Sequence, residues 1–223
     1  MEHIDAKKLA TDLPTRVAYL RKFIGFTKDD AAALHLAAPV VAPLVPLIVD
    51  SVYVKLNSFD ITWKAFVPLQ SGQAADAGLP TKLEDVGLDS PQIKFRKDFL
   101  SNYLTKLVTM DYDDEKTWEY LDKVGIMHTG QNGLAHRYVH LRSPDECLSE
   151  LGAMIDRKKL PALRVEYVHI GALLGYVEDV IISAVLGHED IDLPTKTAVL
   201  QAVNKVCNKV VQSMNQNFER LHS

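Results

Sequence analysis

Trp118-Glu119-Tyr120-Leu121-Asp122-Lys123-Val124-Gly125-Ile126-Met127-His128-Thr129-Gly130 is the stretch whose reading decides the fold. Leu121, Val124, Gly125 and His128 recur at helical spacing, so they share one face and the histidine closes it. Asp113-Asp114-Glu115 places negative charge at the start of this helix, where the backbone dipole favours it, and Gly130 supplies a stop. A histidine at the end of an apolar helical face is either a half-exposed side chain near a helix terminus or a ligand. Its neighbours decide between the two.

Upstream, Ser90-Pro91 reads as an N-cap followed by proline at the first helical position. The helix it opens carries Phe95, Phe99 and Tyr103 four apart, with Leu100, Leu104 and Leu107 widening the apolar face. Residues 70–88 have loop composition. Before them, a helix near Val40 to Leu56 sets Val49, Val52, Tyr53 and Leu56 on one inward face, so Tyr53 is expected inside. Thr27 caps a helix through Leu36, and an amphipathic segment from Ala6 to Phe23 opens the chain.

Downstream, Gln131 to Lys159 is polar and mixed, with a short helix over Cys147 to Met154. Pro161 then opens a helix carrying Val165, Val168, Ala172, Leu173, Tyr176 and Val180, and Asp192 and Pro194 start the last one. The stripe of that last helix is Val203, Val206, Cys207, Val210, Val211, Met214, Phe218 and Leu221. No strand alternation, internal repeat or composition break interrupts this pattern. The expectation is an all-α chain with one domain over 1–223.

Composition narrows the function classes. The 223 residues, 47% apolar and 24% charged, are those of an ordinary globular chain with ample core. A formal charge of -4 offers no basic stripe for nucleic acid and no polybasic segment for an anionic membrane. Cys147 and Cys207 form no CxxC pair, and the N-terminus lacks the apolar core of a signal peptide, so a reduced, cytoplasmic setting is expected. Leu36 to Val49 is shorter than the ~20 residues of a membrane span and carries Pro39, Pro43 and Pro46. It reads as a buried, proline-broken helix.

Four segments together resemble the protoglobins, the single-domain relatives of the sensor domains of globin-coupled sensors. They are Tyr19 to Asp30, which looks like the approach to the first globin helix; Ile48 to Tyr53; Gln92 to Leu100; and Lys123 to His128. The resemblance implies an expanded globin fold with an additional N-terminal (pre-A) helix in residues 1–25. It also implies one non-covalent haem b, with His128 as the proximal iron ligand and Tyr53 as the distal hydrogen-bond donor. Phe95, Phe99, Val52, Val124, Gly125 and Val168 would line the pocket. A globin holds haem iron through one imidazole and leaves the opposite side open for a gas, and Tyr53 is the one polar donor expected there. Two departures stand out. Val52 occupies a position where the family often has tryptophan, and the 131–160 segment is long for a connection.

The remaining polar residues have simpler readings. His169 is read as a satisfied core histidine, with a second haem ligand as the alternative; His136 and His140, with Cys147, match no metal-ligand spacing. Lys94, Arg96, Lys97 and Asp98 read as a solvated face, with one base within reach of a haem propionate. The functional expectation is a globin that reversibly binds O2, CO or NO at a pentacoordinate iron for sensing or scavenging. It is expected as a homodimer through its last two helices, with a separate signalling or reductase partner. The alternatives are a haem enzyme, such as an NO dioxygenase or peroxidase-like catalyst needing an external reductant, and a haem-free helical interaction module. The sequence favours a binder over an enzyme.

Overall fold

The computed structural model describes residues 1–67, 80, 82–128 and 165–219. Among them every regular element is helical: α1 (Ala6–Thr11), α2 (Leu13–Phe23), α3 (Lys28–Val41), α4 (Val45–Asn57), α5 (Asp60–Trp63), α6 (Pro91–Leu107), α7 (Glu115–Met127), α8 (Tyr167–Gly187) and α9 (Leu193–Glu219). Short 3-10 turns cover Ala42–Leu44, Lys64–Phe66 and Leu83–Asp85. The polar segment 131–160 with His136, His140 and Cys147, the stop at Gly130, the Pro161 start and most of the 70–88 loop lie outside the described residues, as do the side chains of Val210, Val211, Met214, Phe218 and Leu221.

The opening segment is two helices rather than one. The Asp12 carboxylate accepts from the Thr15 amide at 2.9 Å, which caps α2, and Pro14 fits only the first turn of a helix. Thr27 starts α3 as expected, and the Asp30 carboxylate accepts from its amide at 2.7 Å and its hydroxyl at 3.1 Å. Ser90 and Asp114 stand at the N-caps of α6 and α7, with Pro91 at the first position of α6.

The apolar stretch around Leu36 to Val49 follows a helical course from Lys28 to Asn57, with a 3-10 turn where Pro43 lies. Each proline lacks only one amide donor, and packing holds the course together. Leu34, Ala37, Val41, Val45, Ile48, Val49, Val52 and Tyr53 enter the core from this pair of helices, while Leu36, Leu47 and Val54 stay exposed. Lys28–Asn57 and Val168–Gly187 are each long and apolar enough to cross a membrane by length and composition; in both, part of the apolar surface is used in packing against other helices.

α9 packs across α3, α7 and α8, and α4 packs on α6 and α8. α6 and α7 are joined by a turn that is firmly built. The Tyr112 hydroxyl, almost wholly buried, donates to the Leu107 carbonyl at 2.6 Å; the Tyr112 carbonyl accepts from the Trp118 indole at 3.0 Å and from Arg21 at 3.1 Å. Phe26 packs on both rings, with centroids 5.1 Å from Tyr112 and 5.9 Å from Trp118. Near this turn the two helices meet through Tyr103 and Tyr120, whose rings stack 6.3 Å apart. A buried ion pair of Arg16 and Asp122, 3.0 Å apart, ties α2 to the middle of α7. These contacts hold the turn between α6 and α7 in place and tie α7 to α2.

Candidate functional site

The site is built where α6 and α7 run on from their anchored turn. α4 supplies Val52 and Tyr53, α6 supplies Phe95, Arg96 and Phe99, and α7 supplies Val124 and Gly125, with His128 as its C-cap. Leu121 and Val124 are buried to within a few per cent and Gly125 is also buried, so the face that His128 closes is apolar as the spacing predicted. The His128 carbonyl accepts from the Val165 amide at 3.0 Å, which brings the start of α8 beside the end of α7.

His128 itself is half-buried, and its Nδ1 lies 2.8 Å from the Val124 carbonyl oxygen one turn back. A carbonyl only accepts, so Nδ1 carries the proton and donates. The crowded surroundings hold the imidazole pKa below its usual 6.5, which keeps the ring neutral, and the nearby Arg96 charge pushes the same way against the Val124 bond. In a neutral imidazole with its proton on Nδ1, Nε2 presents a lone pair. That is the state of a metal-ligating histidine whose other nitrogen is fixed by a second group.

Tyr53 is buried, and burial raises its phenol well above the ordinary value, opposed by Arg96, so it is an O–H donor. Its ring packs 5.9 Å from Phe66 and under Lys97, whose Nζ lies 5.9 Å above the centroid. Its hydroxyl makes no hydrogen bond among the described residues. Val52 is 1% exposed and Val124 3%. Phe99 is half-buried against the core, Phe95 is half-buried, and Val168 is 63% exposed at the start of α8. The structure thus brings Tyr53 and His128 within the electrostatic reach of one side chain, Arg96, and leaves Val168 on accessible surface.

His169 departs from the reading as a satisfied core histidine. Its Nε2 is buried without a hydrogen bond and lies 3.8 Å from the Glu166 carboxylate, too long to count as one. Arg96 departs from the solvated-face reading. Lys94 and Asp98 are exposed, and Lys97 pairs with Asp50 at 2.9 Å, but Arg96 turns inward with its Cζ 5.5 Å from the Phe66 ring centroid. The signal was its spacing: Arg96 follows the buried Gln92 by four and precedes Phe99 by three, which places it on the inner face.

No group of three or more His, Cys, Asp or Glu side chains gathers at a possible metal position among the described residues. A bare cation takes three or four protein ligands. Haem iron takes four nitrogens from its porphyrin and one axial imidazole from the protein, and the donor chemistry here, a single neutral histidine whose proton is held on Nδ1, fits that group.

No curated protein matches the chain. Among solved structures, the globin domain of a Geobacter sulfurreducens globin-coupled sensor is similar in fold, at a TM-score of 0.57 and 15% identity, covering 90% of this chain and 96% of that one. The family model described as Protoglobin matches residues 13–220. Together with the all-helical globin architecture, that match over nearly the whole chain establishes that the protein belongs to the protoglobin family, whose globin fold implies haem binding.

Proposed function

We propose that this chain binds one non-covalent haem b through His128 Nε2 and reversibly takes up O2, CO or NO on the Tyr53 side, for sensing or scavenging. The observation that carries the reading is the 2.8 Å contact from His128 Nδ1 to the Val124 carbonyl, which leaves Nε2 as a bare lone pair at the end of an apolar face. When bound, haem supplies a ferrous iron able to hold a diatomic gas. The chain's own residues do the rest. Val124 would orient the imidazole through its carbonyl, the buried Leu121 and Val124 give the face that His128 closes its apolar surface, and Tyr53 would offer its O–H to a gas ligand.

The same reading gives a single domain over 1–223 and a homodimer through α8 and α9. Ile182, Leu186 and Leu193 supply exposed apolar surface on those helices, a face that a second copy would cover. It also places the protein in the cytoplasm, where the unbridged, buried Cys207 stays reduced. Gas signalling from this chain would pass to a separate partner protein.

The test is the absorption spectrum of haem-reconstituted protein in ferric, dithionite-reduced and CO forms. The expected result is a five-coordinate ferrous haem that converts fully to a CO complex. A chain that takes up no haem sinks the reading and leaves a helical interaction module in its place.

A further inference from the structure

Between His35 on α3 and Asp50 on α4 the chain carries no ionisable side chain, and Leu36, Pro39, Pro43, Pro46 and Leu47 are exposed along that course. Contiguous exposed apolar surface marks contact sites more often than it serves the monomer. Beside this course lies a cleft of about 400 Å³ bounded by α3, the end of α8, the connection to α9 and the first turns of α9. Ala37, Val185 and Val199, each no more than 2% exposed, are the buried part of its lining, and Leu36 and Val40 join Ala37 from α3. Neither the residues given to the haem pocket nor Ile182, Leu186 and Leu193 of the dimer face line it.

The rest of the lining is acidic. Asp190 and Asp192 line the cleft from the α8–α9 connection, and the exposed Glu189 precedes them. The bases close by in sequence are engaged by the backbone: Lys196 Nζ donates to the Leu186 carbonyl at 2.7 Å, and His188 Nδ1 accepts from the Asp190 amide at 3.3 Å. Asp192 accepts from the Thr195 amide at 2.9 Å, but among the described residues the carboxylates of Glu189 and Asp190 enter no ion pair. An apolar cleft with uncompensated carboxylates beside it repels phosphate, which excludes nucleic acid and anionic lipid, and it favours an apolar group flanked by cations.

We propose that this cleft docks an amphipathic helical segment of a partner protein, with apolar side chains against Leu36, Ala37 and Val40 and Lys or Arg side chains facing Glu189 and Asp190. Leu36 and Val40 stand four apart on one face of α3, the spacing against which a second helix seats its own apolar stripe. The proposal gives the chemistry of the signalling partner and rests on the gas-sensing reading for that partner's role, while docking itself needs no haem. The cleft is also linked to the haem site: Thr195 and Val199 line it from α9, and α9 packs on α7, the helix that His128 caps.

The probe is a fluorescein-labelled peptide of Leu, Ala and Lys in an amphipathic helical pattern, with a counterpart carrying Glu for every Lys. Both are titrated by fluorescence anisotropy into haem-reconstituted wild type, Leu36→Gln and the double variant Glu189→Lys with Asp190→Lys. All three positions are exposed, so each variant is expected to fold, which circular dichroism checks. The basic peptide is expected to bind wild type saturably and the acidic one roughly fivefold to thirtyfold more weakly, with the preference inverted in the double variant. Leu36→Gln should weaken the basic peptide roughly threefold to tenfold. No saturable binding below about 1 mM, equal affinity for the two peptides, or a double variant that keeps the wild-type preference overturns the proposal. A dimer that falls to monomer in Leu36→Gln by sedimentation velocity assigns the cleft to a second copy of the chain and overturns it as well. The same titration on haem-free chain separates the two readings. A chain that takes up haem and CO but no peptide loses only the docking site, and one that binds the peptide but no haem loses only the gas-binding reading.

Discussion

Removing the Arg16 side chain should loosen the helix that carries His128. Arg16 and Asp122 form an ion pair at 3.0 Å with side chains only 5% and 12% exposed, and it is a direct bond between the N-terminal helix α2 and α7. Asp122 lies on α7 before His128, so what happens to the pair is transmitted along a rigid element to the ligand. Deleting one partner of a buried pair leaves the other charge desolvated and unpaired, at a cost of about 3–5 kcal/mol. The residual exposure of Asp122 lets it recruit some water, so the lower end, about 3 kcal/mol, applies to Arg16→Ala. For a chain of this size that corresponds to a melting point lower by about 6–12 °C.

The assay is urea unfolding followed by far-UV circular dichroism on haem-free protein, with haem loss measured in parallel on the reconstituted protein. Arg16→Ala and Asp122→Ala should each lose about 3 kcal/mol, and the double replacement Arg16→Met with Asp122→Leu should recover most of it, because two apolar groups leave no orphaned charge. Haem loss should quicken in the single variants. If Arg16→Ala stays within about 0.5 kcal/mol of wild type, the pair is a solvated surface contact and its role in holding α7 is refuted.

Tyr53→Phe keeps the packing with Phe66 and deletes the one phenolic donor, so oxygen dissociation measured by stopped flow should rise roughly threefold to tenfold, with CO much less affected. Tyr112→Phe removes the 2.6 Å bond to the Leu107 carbonyl in the α6–α7 turn and should cost about 1–2 kcal/mol in urea unfolding. Burial, with Glu178 nearby, pushes the Cys207 thiol up to about 12 from 9.0. Its proton is therefore kept in the folded chain while the unfolded chain loses it, and this contribution to stability is complete below pH 9.0 and falls as pH rises between 9.0 and about 12. Wild type should lose roughly 1.4 kcal/mol more per pH unit than Cys207→Ala over that range.

The helices that frame the site were legible because their signals are local. Proline after a serine marks the start of α6, acidic residues mark the start of α7, and three- and four-residue spacing put Tyr53, Val124 and His128 on inward faces. What spacing could not give was which side chains of a charged run turn inward. Lys94, Arg96 and Lys97 look alike in sequence, and only the packing of α6 against α4 and Phe66 separates the inward Arg96 from the paired Lys97 and the exposed Lys94. His169 was misjudged for a related reason: an apolar helical stripe predicts burial but not a hydrogen-bond partner, and its Nε2 has none. The break at Asp12 was missed because both halves of the opening segment share one apolar pattern, while the cap that separates them is a single side chain.

The account turns on His128 Nε2 as the group that holds the iron. Haem titration of His128→Gly, with and without free imidazole, tests this most directly. The account predicts that wild type gives a five-coordinate, histidine-ligated ferrous spectrum, that the variant loses that signature and most of its haem affinity, and that added imidazole restores both. A variant that binds haem as wild type does, with the same spectrum and no response to imidazole, would show that the iron is held elsewhere, with the unpartnered Nε2 of His169 as the first place to look.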